Sequence, residues 1–358
     1  MGSENCKSPL KAPTRLASSR SSGGDASARK IVNRESPPKA KSPSPRKNRT
    51  STIENRKSKI TTSILRWYRK FGRDLPWRDE RDPYRIVVSE VMLQQTQVSR
   101  VLLKYPPFIK RFPTFERLAL ARTSDVIRAW QGMGYNNRVL RLQHLARAVA
   151  YRFKSKLPRD IAELQKLPGI GRYTAHAISC FAFRNQVPVV DTNVARLLSR
   201  LFPDKIGPVS HERKSSGKVW QVAEWILPRR RAHEWNQALM DLGSTICTAR
   251  TPKCGICPLK NQCPSAHNIR DAKSTVTTRE PGRDGTPNRI FRGRVVEALR
   301  NLDGQKSIPV KILARKVKSD YSRNDGRWFT GLLRNLERDG LVKLRTSAST
   351  LRASLPDE

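Results

Sequence analysis

The chain has 358 residues, enough for two or three domains with buried cores. Its 71 Lys and Arg residues outnumber its 30 Asp and Glu residues, so the formal net charge is +41 at pH 7. Such an excess favours nucleic acid as the partner, because binding to phosphates releases condensed counterions, and it argues against a membrane, because no apolar run approaches the ~20 residues that cross a bilayer.

The first 55 residues are rich in Ser, Pro, Lys and Arg and contain almost no paired apolar residues. Such a segment cannot bury enough apolar surface to offset the entropy of ordering, so we predict a disordered basic tail over residues 1–55. Composition does not decide between a cationic arm that concentrates the protein on DNA and a solubilising tail. The tail lacks the apolar centre of a secretory signal. We therefore expect a cytoplasmic, nucleoid-associated protein if the source is bacterial and a nuclear one if it is eukaryotic.

Helical periodicity begins near Ile60, where Ile60, Ile64 and Tyr68 fall on one face of a helix that ends near Gly72. Strand-like alternation is nearly absent from the segment that follows. Further helices are predicted over residues 84–97, 98–111 (interrupted at Pro106-Pro107), 123–131, 138–152, 159–166, 172–183, 192–202, 216–227 and 233–245. The sequence therefore predicts an all-α domain over residues 56–268.

Residues 269–288 are polar and contain two prolines and two glycines, which predicts a linker. Beyond it, helices are predicted over residues 291–302, 309–318 and 327–338. Asp339-Gly340 then turns the chain into a short alternating strand over residues 341–344. Three helices and a terminal hairpin predict a small winged-helix-like module over residues 289–350.

Four of the six cysteines lie in one short segment. Cys247, Cys254, Cys257 and Cys263 follow the spacing C-x6-C-x2-C-x5-C. This clustering in a large basic chain indicates a metal centre in a reducing compartment, because a disulfide framework would distribute its cysteines through a small secreted domain. Four thiolates suit both tetrahedral zinc and a [4Fe–4S] cluster, and the spacing leaves both open.

The helix before this loop has the sequence Trp-Asn-Gln-Ala-Leu-Met-Asp-Leu-Gly over residues 235–243. Together with the cysteine spacing, it resembles the iron–sulfur segment of the endonuclease III and MutY DNA glycosylases. The resemblance implies a [4Fe–4S] cluster as cofactor and a two-lobed core. In that family the cluster shapes a basic loop that contacts DNA and does not take part in base removal. Lys253 and Lys260 suit phosphate contacts in such a loop.

Residues 167–171 have the sequence Leu-Pro-Gly-Ile-Gly and lie between two predicted helices. Gly169 and Gly171 permit positive φ and let a phosphate approach the backbone, and the amides that open the next helix favour an anion there. Two glycines between helices more often form only a tight turn. With the residues that follow, however, the segment resembles the helix-hairpin-helix of the same superfamily, which implies contact with the DNA backbone without reading of sequence.

Two acidic residues have unusual surroundings. Glu90 is a single acid in a largely apolar run, so its carboxyl should have a raised pKa and hold a proton, although an isolated helix glutamate is more often exposed. Asp191 directly precedes a helix, where a cap would keep its carboxylate ionised and fixed. Removing a purine requires a proton for the leaving base and an anion beside an oxocarbenium-like sugar, and such a pair suits both needs.

Both acidic segments resemble those of MutY. The resemblance implies that Glu90 protonates adenine and activates water, and that Asp191, with Asn193 beside it, stabilises or transiently traps the sugar. Tyr173 matches a tyrosine that hydrogen-bonds within this site. Lyase members of the superfamily have at this position a lysine that forms a Schiff base. We therefore expect a monofunctional glycosylase.

The resemblance, strong over residues 60–268, also implies how the base is reached. Gln94 and Gln95 match the wedge that fills the space left by the extruded base, and Tyr135 matches the tyrosine that intercalates beside the opposing guanine. Residues of the adenine pocket correspond to Trp77, Arg78 and Gln237. We expect the substrate to be double-stranded DNA with an adenine mispaired with 8-oxoguanine or guanine, and the protein to be a monomer.

Two features depart from the family. Asn136 stands where a second aromatic residue is usual. Residues 289–350 are too short and too helical for the Nudix-like domain with which many MutY enzymes inspect 8-oxoguanine, which leaves open whether 8-oxoguanine is preferred over guanine opposite the adenine.

Two alternatives remain. A thymine or uracil glycosylase for T:G or U:G mismatches is the nearest, because members of that branch can also have a tyrosine at the position of Tyr173. The run Met-Leu-Gln-Gln-Thr-Gln over residues 92–97 and Gln237 favour adenine. A DNA-binding protein without enzymatic activity is an alternative of another class, and Glu90 and Asp191 in their motifs argue against it.

Overall fold

The computed structural model describes residues 49–206, 217–266, 268, 280–302 and 307–357, with side chains from residue 54 onward. The predicted disordered tail up to residue 48 and residues 269–279 of the predicted linker lie outside the described residues. Within the described ranges, no helix has the length and apolar character that a bilayer crossing requires.

The described residues form fifteen α-helices and five short β-strands. The helices of the main body are α1 (Arg49–Phe71), α2 (Pro83–Leu93), α3 (Val98–Arg111), α4 (Phe115–Leu120), α5 (Thr123–Ala129), α6 (Asn137–Arg152), α7 (Ile161–Gln165), α8 (Arg172–Phe181), α9 (Thr192–Leu201), α10 (Pro203–Ile206), α11 (Gly217–Ile226) and α12 (Ala232–Thr245). The carboxyl-terminal elements are β1 (Gly282–Arg283), β2 (Thr286–Pro287), α13 (Asn288–Arg300), β3 (Ile308–Pro309), α14 (Val310–Val317), α15 (Gly326–Arg338), β4 (Lys343–Ser347) and β5 (Thr350–Ser354).

The helical body has two lobes, each with its own apolar core. Helices α2 to α8 form the first lobe, in which Phe108 and Trp130 are fully buried. Helix α1 returns to pack with α9 to α12, and this second lobe buries Ile64 and Trp235. A smaller cluster around Val189 joins α2 and α8 of the first lobe to α12 of the second. The predicted all-α, two-lobed body is confirmed.

Two helices of the first lobe differ from their predicted form. Helix α3 runs without interruption through Pro106 and Pro107. Tyr105 and Phe108, on either side of the pair, are buried in the same core, so packing maintains the helix although each proline removes a backbone donor. The helix predicted over residues 84–97 ends at Leu93, because Gln95 adopts a left-handed backbone with φ of 55°.

Helix α1 begins at Arg49, inside the predicted tail. Directly after the predicted tail, the guanidinium of Arg56 donates to the carbonyl of Leu201 at 3.2 Å and lies 5.4 Å from the centre of the Phe202 ring. These contacts attach an early turn of α1 to the second lobe. Helices α4 and α10 were not predicted, since segments of six and four residues are too short to show helical periodicity.

The carboxyl-terminal module begins with a tight hairpin rather than with continued linker. Asp284 and Gly285 have φ of 49° and 76°, as an Asp-Gly turn between β1 and β2 requires. Three helices and three strands follow, and the antiparallel strand order is β3-β5-β4. This arrangement agrees with the predicted winged-helix-like module, and its last strand extends to Ser354, beyond the predicted end at residue 350.

The module is fixed to the first lobe by apolar and polar contacts. Phe291 and Val295 of α13 belong to the same continuous core as the first lobe. The guanidinium of Arg300 donates to the carbonyl of Ile127 at 3.0 Å and to Oδ1 of Asn136 at 2.9 Å. The module therefore lies beside the loop over residues 131–136.

Candidate active site

Helix α2 carries Glu90 into the interior of the protein. The side chain is only 6 % exposed and lies between buried valines of the same helix. Burial raises the pKa of this carboxyl to about 7; a hydrogen bond from the Tyr173 hydroxyl to Oε2, at 2.9 Å, lowers it, and the carboxylate of Asp191 raises it. Glu90 therefore exchanges its proton near neutral pH, as predicted for a general acid.

Asp191 caps the amino terminus of α9. Its Oδ1 accepts a hydrogen bond from the backbone N–H of Val194 at 2.6 Å, and its Oδ2 accepts one from the side-chain amide of Asn193 at 2.9 Å. Arg196 in turn donates to Oδ1 of Asn193 at 2.9 Å and so fixes the amide. A carboxylate at a helix amino terminus also benefits from the helix dipole. The cap predicted from the sequence is present, and the carboxylate is held in one orientation.

Glu90 and Asp191 line one cavity between the two lobes. The cavity has a volume of about 220 Å³. The sequence-predicted residues that line it are Trp77, Arg78, Glu90, Tyr173, Asp191, Asn193 and Gln237. Burial, with the carboxylates of Glu90 and Asp191, raises the pKa of the Tyr173 hydroxyl, so this group stays protonated and acts as a donor. The cavity thus brings a proton donor and a fixed anion to the same space.

A larger cavity, of about 450 Å³, lies between the start of α2, α4 and the segment that follows α6. Its two acids are Asp82 and Glu116. Asp82 caps α2 by accepting from the N–H of Tyr84 at 2.9 Å, and Glu116 is exposed on α4. Neither predicted acid of the glycosylase motifs faces this cavity, so volume alone does not identify the site.

One wall of the site is a buried polar network that the sequence did not predict. Gln237 accepts from the hydroxyl of Tyr68 at 2.7 Å and donates to the carbonyl of Arg78 at 3.2 Å. Arg78 also donates to Tyr68 at 2.6 Å and to the fully buried Asp241 at 2.6 Å. Asp241 lies one helical turn after Gln237 on α12, and the i, i+4 spacing that puts both on one face of this helix was the available signal.

His233 lies at the end of this network, where its ring nitrogen is 3.1 Å from Nε2 of Gln237. Burial, followed by the positive charge of Arg184, lowers the pKa of His233 to about 4. The ring is therefore neutral at pH 7 and available as a hydrogen-bond acceptor. The amide of Gln237 consequently has partners on both sides, and its orientation is fixed.

Two loops at the rim of the cavity are joined by Arg138. Its guanidinium donates to the carbonyl of Met92 at 3.0 Å, beside Gln94 and Gln95, and to the carbonyl of Met133 at 2.9 Å, close to Tyr135. Burial lowers the pKa of Arg138 to about 10, so it remains charged at pH 7. The role of Arg138 was not predicted, because the first turns of α6 contain a second arginine, Arg141, and nothing in the sequence distinguishes the two.

The rim residues themselves have left-handed backbones. Gln95 and Tyr135 have φ of 55° and 44°, and the Tyr135 side chain is 54 % exposed. Non-glycine residues rarely adopt this conformation, which costs about 1–3 kcal/mol each and concentrates at functional sites. Gln94 and Gln95 lie in sequence between two residues that line the cavity, Leu93 and Thr96, but do not line it themselves. Arg138 contacts both the carbonyl of Gln94 and the ring of Tyr135, so the two loops lie close together.

The predicted hairpin lies between α7 and α8. Gly169 has φ of 78°, a conformation that side chains other than glycine rarely adopt. Gly171 begins α8 from an extended backbone, and a Cβ at this position would meet no atom within 4 Å. Gly169 is needed for the turn, whereas Gly171 leaves open space in front of the helix amides.

The four clustered cysteines lie together after α12, and none of the four forms a disulfide. Burial, with a smaller contribution from the three neighbouring thiols, raises the pKa of the Cys257 thiol to about 11, and a hydrogen bond from the backbone of Leu259 opposes this rise. Arg200 donates to Sγ of Cys247 at 3.3 Å and to the carbonyl of Thr248 at 2.7 Å. Among the described residues, no three His, Cys, Asp or Glu side chains are grouped as a single-ion site. Four neighbouring sulfurs beside a cation fit a four-thiolate cluster, in which every ligand is anionic.

Comparison with known proteins agrees with this geometry. Residues 88–221 match the family model described as HhH-GPD superfamily base excision DNA repair protein, and residues 247–263 match the iron-sulfur binding domain of endonuclease III. The second match decides between the two metal centres that the spacing left open. The cofactor is a [4Fe–4S] cluster, and the matched segment begins at Cys247 and ends at Cys263.

The chain is similar to proteins named adenine DNA glycosylase. The protein from Mycobacterium tuberculosis (strain CDC 1551 / Oshkosh) is 42 % identical over 246 residues, which cover 67 % of this chain and 78 % of that protein. The protein from Homo sapiens is 41 % identical over 216 residues, 58 % of this chain and 39 % of that protein.

Two solved structures share the fold. A thermostable thymine-DNA glycosylase superposes with a TM-score of 0.57 at 29 % identity, covering 61 % of this chain and all of that one. A non-covalent endonuclease III–DNA complex superposes with a TM-score of 0.51 at 23 % identity, covering 59 % of this chain and 97 % of that one. At this identity, the second likeness shows the fold alone.

Proposed function

The chain belongs to the adenine DNA glycosylase family within the HhH-GPD superfamily of base excision repair proteins, and on that basis we propose that it hydrolyses the N-glycosidic bond of adenine mispaired with 8-oxoguanine or guanine. The observation that carries the proposal is the cavity between the lobes, where Glu90 and Asp191 face the same space. We further propose that the protein acts as a monomer on double-stranded DNA.

Glu90 supplies the proton in this proposal. Because the pKa of its carboxyl is about 7, a substantial fraction is protonated at neutral pH, and its proton can pass to the leaving adenine. The resulting carboxylate then accepts a proton from the attacking water. The Tyr173 hydroxyl, 2.9 Å from Oε2, holds the carboxylate in place through this change of charge.

Asp191 acts on the other product of bond cleavage. As the base leaves, positive charge develops on the sugar, and a carboxylate already fixed by Val194 and Asn193 stabilises it without reorganising. Since Tyr173 stands where a lyase has its lysine, no amine is placed to form a Schiff base at that position. Base release therefore leaves an intact abasic strand.

The adenine must leave the duplex before it can enter the cavity, at a cost of roughly a few kcal/mol for unstacking. Gln94 and Gln95 offset this cost by occupying the space that the base vacates, and Tyr135 does so by intercalating beside the opposing guanine. Arg138 supports the proposal, because its hydrogen bonds keep both loops at one edge of the cavity. The iron–sulfur cluster, held by the four cysteines, orders the basic loop around Lys253 and Lys260.

A panel of duplexes tests this assignment. Duplexes with A opposite 8-oxoguanine, A opposite G, T opposite G and U opposite G are incubated with the protein under single-turnover conditions, and each strand is analysed with and without alkali. We expect strand breaks only after alkali and only in the two adenine duplexes. Release of thymine alone would assign the chain to the thymine branch, with which it shares Tyr173, and release of no base would favour a binding protein.

A further inference from the structure

Helix α15 presents an exposed basic face. Arg327, Arg334 and Arg338 are spaced by seven and four residues, so they project from one side of the helix, and all three are exposed. The opposite side buries Phe329 and Leu333 in the module core. In the described part of the chain, no carboxylate forms an ion pair with any of these three arginines. Within the described residues, Arg338 donates to Oδ1 of Asn335, and no carboxylate neutralises the charge of any of the three.

The neighbouring hairpin adds positive charge. Arg345 on β4 pairs directly with Arg352 on β5, so two cations lie side by side on an antiparallel ladder. Like charges in this position are destabilising unless something compensates them. Arg352 finds partners in Ser307, at 2.9 Å to its hydroxyl and 2.8 Å to its carbonyl, whereas Arg345 is exposed. A polyanion beside the hairpin would remove this cost.

The position of the module relates these charges to the active site. Arg300 contacts Asn136, and Gln131 donates to Glu297, so α13 lies along the loop that carries Tyr135. The hydroxyl of Tyr135 lies close to Arg289 of the same helix, whose pKa is raised by Glu280 and by this tyrosine. The module is thus attached next to the residue proposed to enter the duplex.

We propose that the carboxyl-terminal module is a second DNA-binding element, in which the basic face of α15 (Arg327, Arg334 and Arg338) and the hairpin residue Arg345 bind the duplex beside the mismatch. Helix α15 is the last helix before the hairpin, the position from which helix-turn-helix modules insert a helix into the major groove. Arginine side chains at this position neutralise phosphates of either strand. The inference extends the proposed function from the pocket to the flanking duplex.

Binding to an undamaged duplex tests the inference without requiring base removal. The variant Arg327→Gln/Arg334→Gln/Arg338→Gln is compared with wild type by fluorescence anisotropy over a range of salt concentrations. Each phosphate contact contributes about 0.9 to the slope of log affinity against log salt, so losing three should reduce the slope by up to about 2.7. When the salt is raised from low to moderate concentration, wild type should therefore lose affinity by a factor roughly 10-fold or more larger than the factor by which the variant loses it.

A matched control removes the same charge elsewhere. Arg152→Gln/Lys154→Gln/Lys156→Gln replaces three exposed cations at the far end of α6, about 24 Å along the helix from the Tyr135 loop. This variant should keep the wild-type slope. Arg345→Gln should reduce the slope by about 0.9. Because Arg345 lies outside α15, this reduction could not result from a packing defect in that helix.

The outcomes separate the two proposals. If the α15 variant and Arg345→Gln both bind with the wild-type slope, the inference is overturned and an acidic protein becomes the better partner for this face. If wild type releases no adenine, but the α15 variant has a smaller slope of log affinity against log salt than wild type, the proposed function fails and the inference stands.

Discussion

The two lobes provide the same chemical group in opposite environments. The first lobe buries Glu90 in an apolar helix, where desolvation raises the pKa of the carboxyl to about 7. The second lobe places Asp191 at a helix amino terminus, with hydrogen bonds to both oxygens. Burial in the first lobe favours the protonated carboxyl of Glu90, whereas the hydrogen bonds in the second lobe fix the orientation of Asp191. The role of each acid is therefore set by its surroundings in the lobe that contains it, as in other enzymes that use two carboxylates.

Replacing the acid of the first lobe should have the largest effect on catalysis. Glu90→Gln retains the size of the side chain but can neither deliver a proton to the base nor accept one from water. We expect single-turnover release of adenine to fall by roughly 10²–10⁴-fold, the usual contribution of a general acid–base group. The control is Glu116→Gln, which alters an exposed acid in the larger cavity and should keep the wild-type rate. A Glu90→Gln variant with more than a tenth of wild-type activity would contradict the role of Glu90.

Replacing the acid of the second lobe should have a smaller effect on catalysis and almost none on folding. Asp191→Asn removes the anion beside the sugar, so we expect base release to fall by roughly 10²–10³-fold. Asparagine caps helices about as well as aspartate, so the thermal midpoint should remain close to that of wild type. Asp82→Asn, at the cap of α2 outside the cavity, is the matched control and should leave the rate unchanged. An equal loss in both variants would indicate a capping defect rather than a catalytic role for Asp191.

Sequence reasoning located both acids because each has a local signal: a lone acid in an apolar run for Glu90 and a helix start for Asp191. It also predicted the boundaries of most helices to within a few residues, since amphipathic periodicity is a local property. It could not predict that α3 continues through Pro106 and Pro107, because that depends on core packing on both sides of the pair.

The residues that support the site were missed for a similar reason. Asp241 and Arg138 act through partners distant in sequence: Asp241 accepts from Arg78, and Arg138 donates to the carbonyls of Met92 and Met133. A buried charge is recognisable only when its partners are known. Pairings across lobes and loops are tertiary information, which a single sequence does not contain.

The difference between the lobes should also be visible in stability. The pKa of Glu90 is raised by folding from 4.5 to about 7, so the folded state holds the proton more tightly and stability is lost as pH rises through this range. Glu90→Gln avoids the burial of a charge. We expect it to unfold with a free energy equal to that of wild type near pH 4 and larger by roughly 3 kcal/mol above pH 7. Urea denaturation at several pH values measures this, and a constant difference across pH would show that burial does not destabilise the ionised form.

The smallest expected effect lies at the contact between Tyr173 and Glu90. The tyrosine hydroxyl donates to the carboxylate and so lowers the pKa of Glu90 against the effect of burial. Tyr173→Phe removes only this bond, so the pKa of Glu90 should rise and the alkaline limb of the rate of base release should move to higher pH. The maximal rate should change less than about tenfold, because proton donor and sugar-stabilising anion both remain. Tyr105→Phe, which removes a buried hydroxyl away from Glu90, should leave the limb in place. If the alkaline limb moved to lower pH in Tyr173→Phe, the hydroxyl would stabilise the protonated carboxyl instead. The raised pKa of Glu90 would then come from Tyr173 rather than from burial in the first lobe.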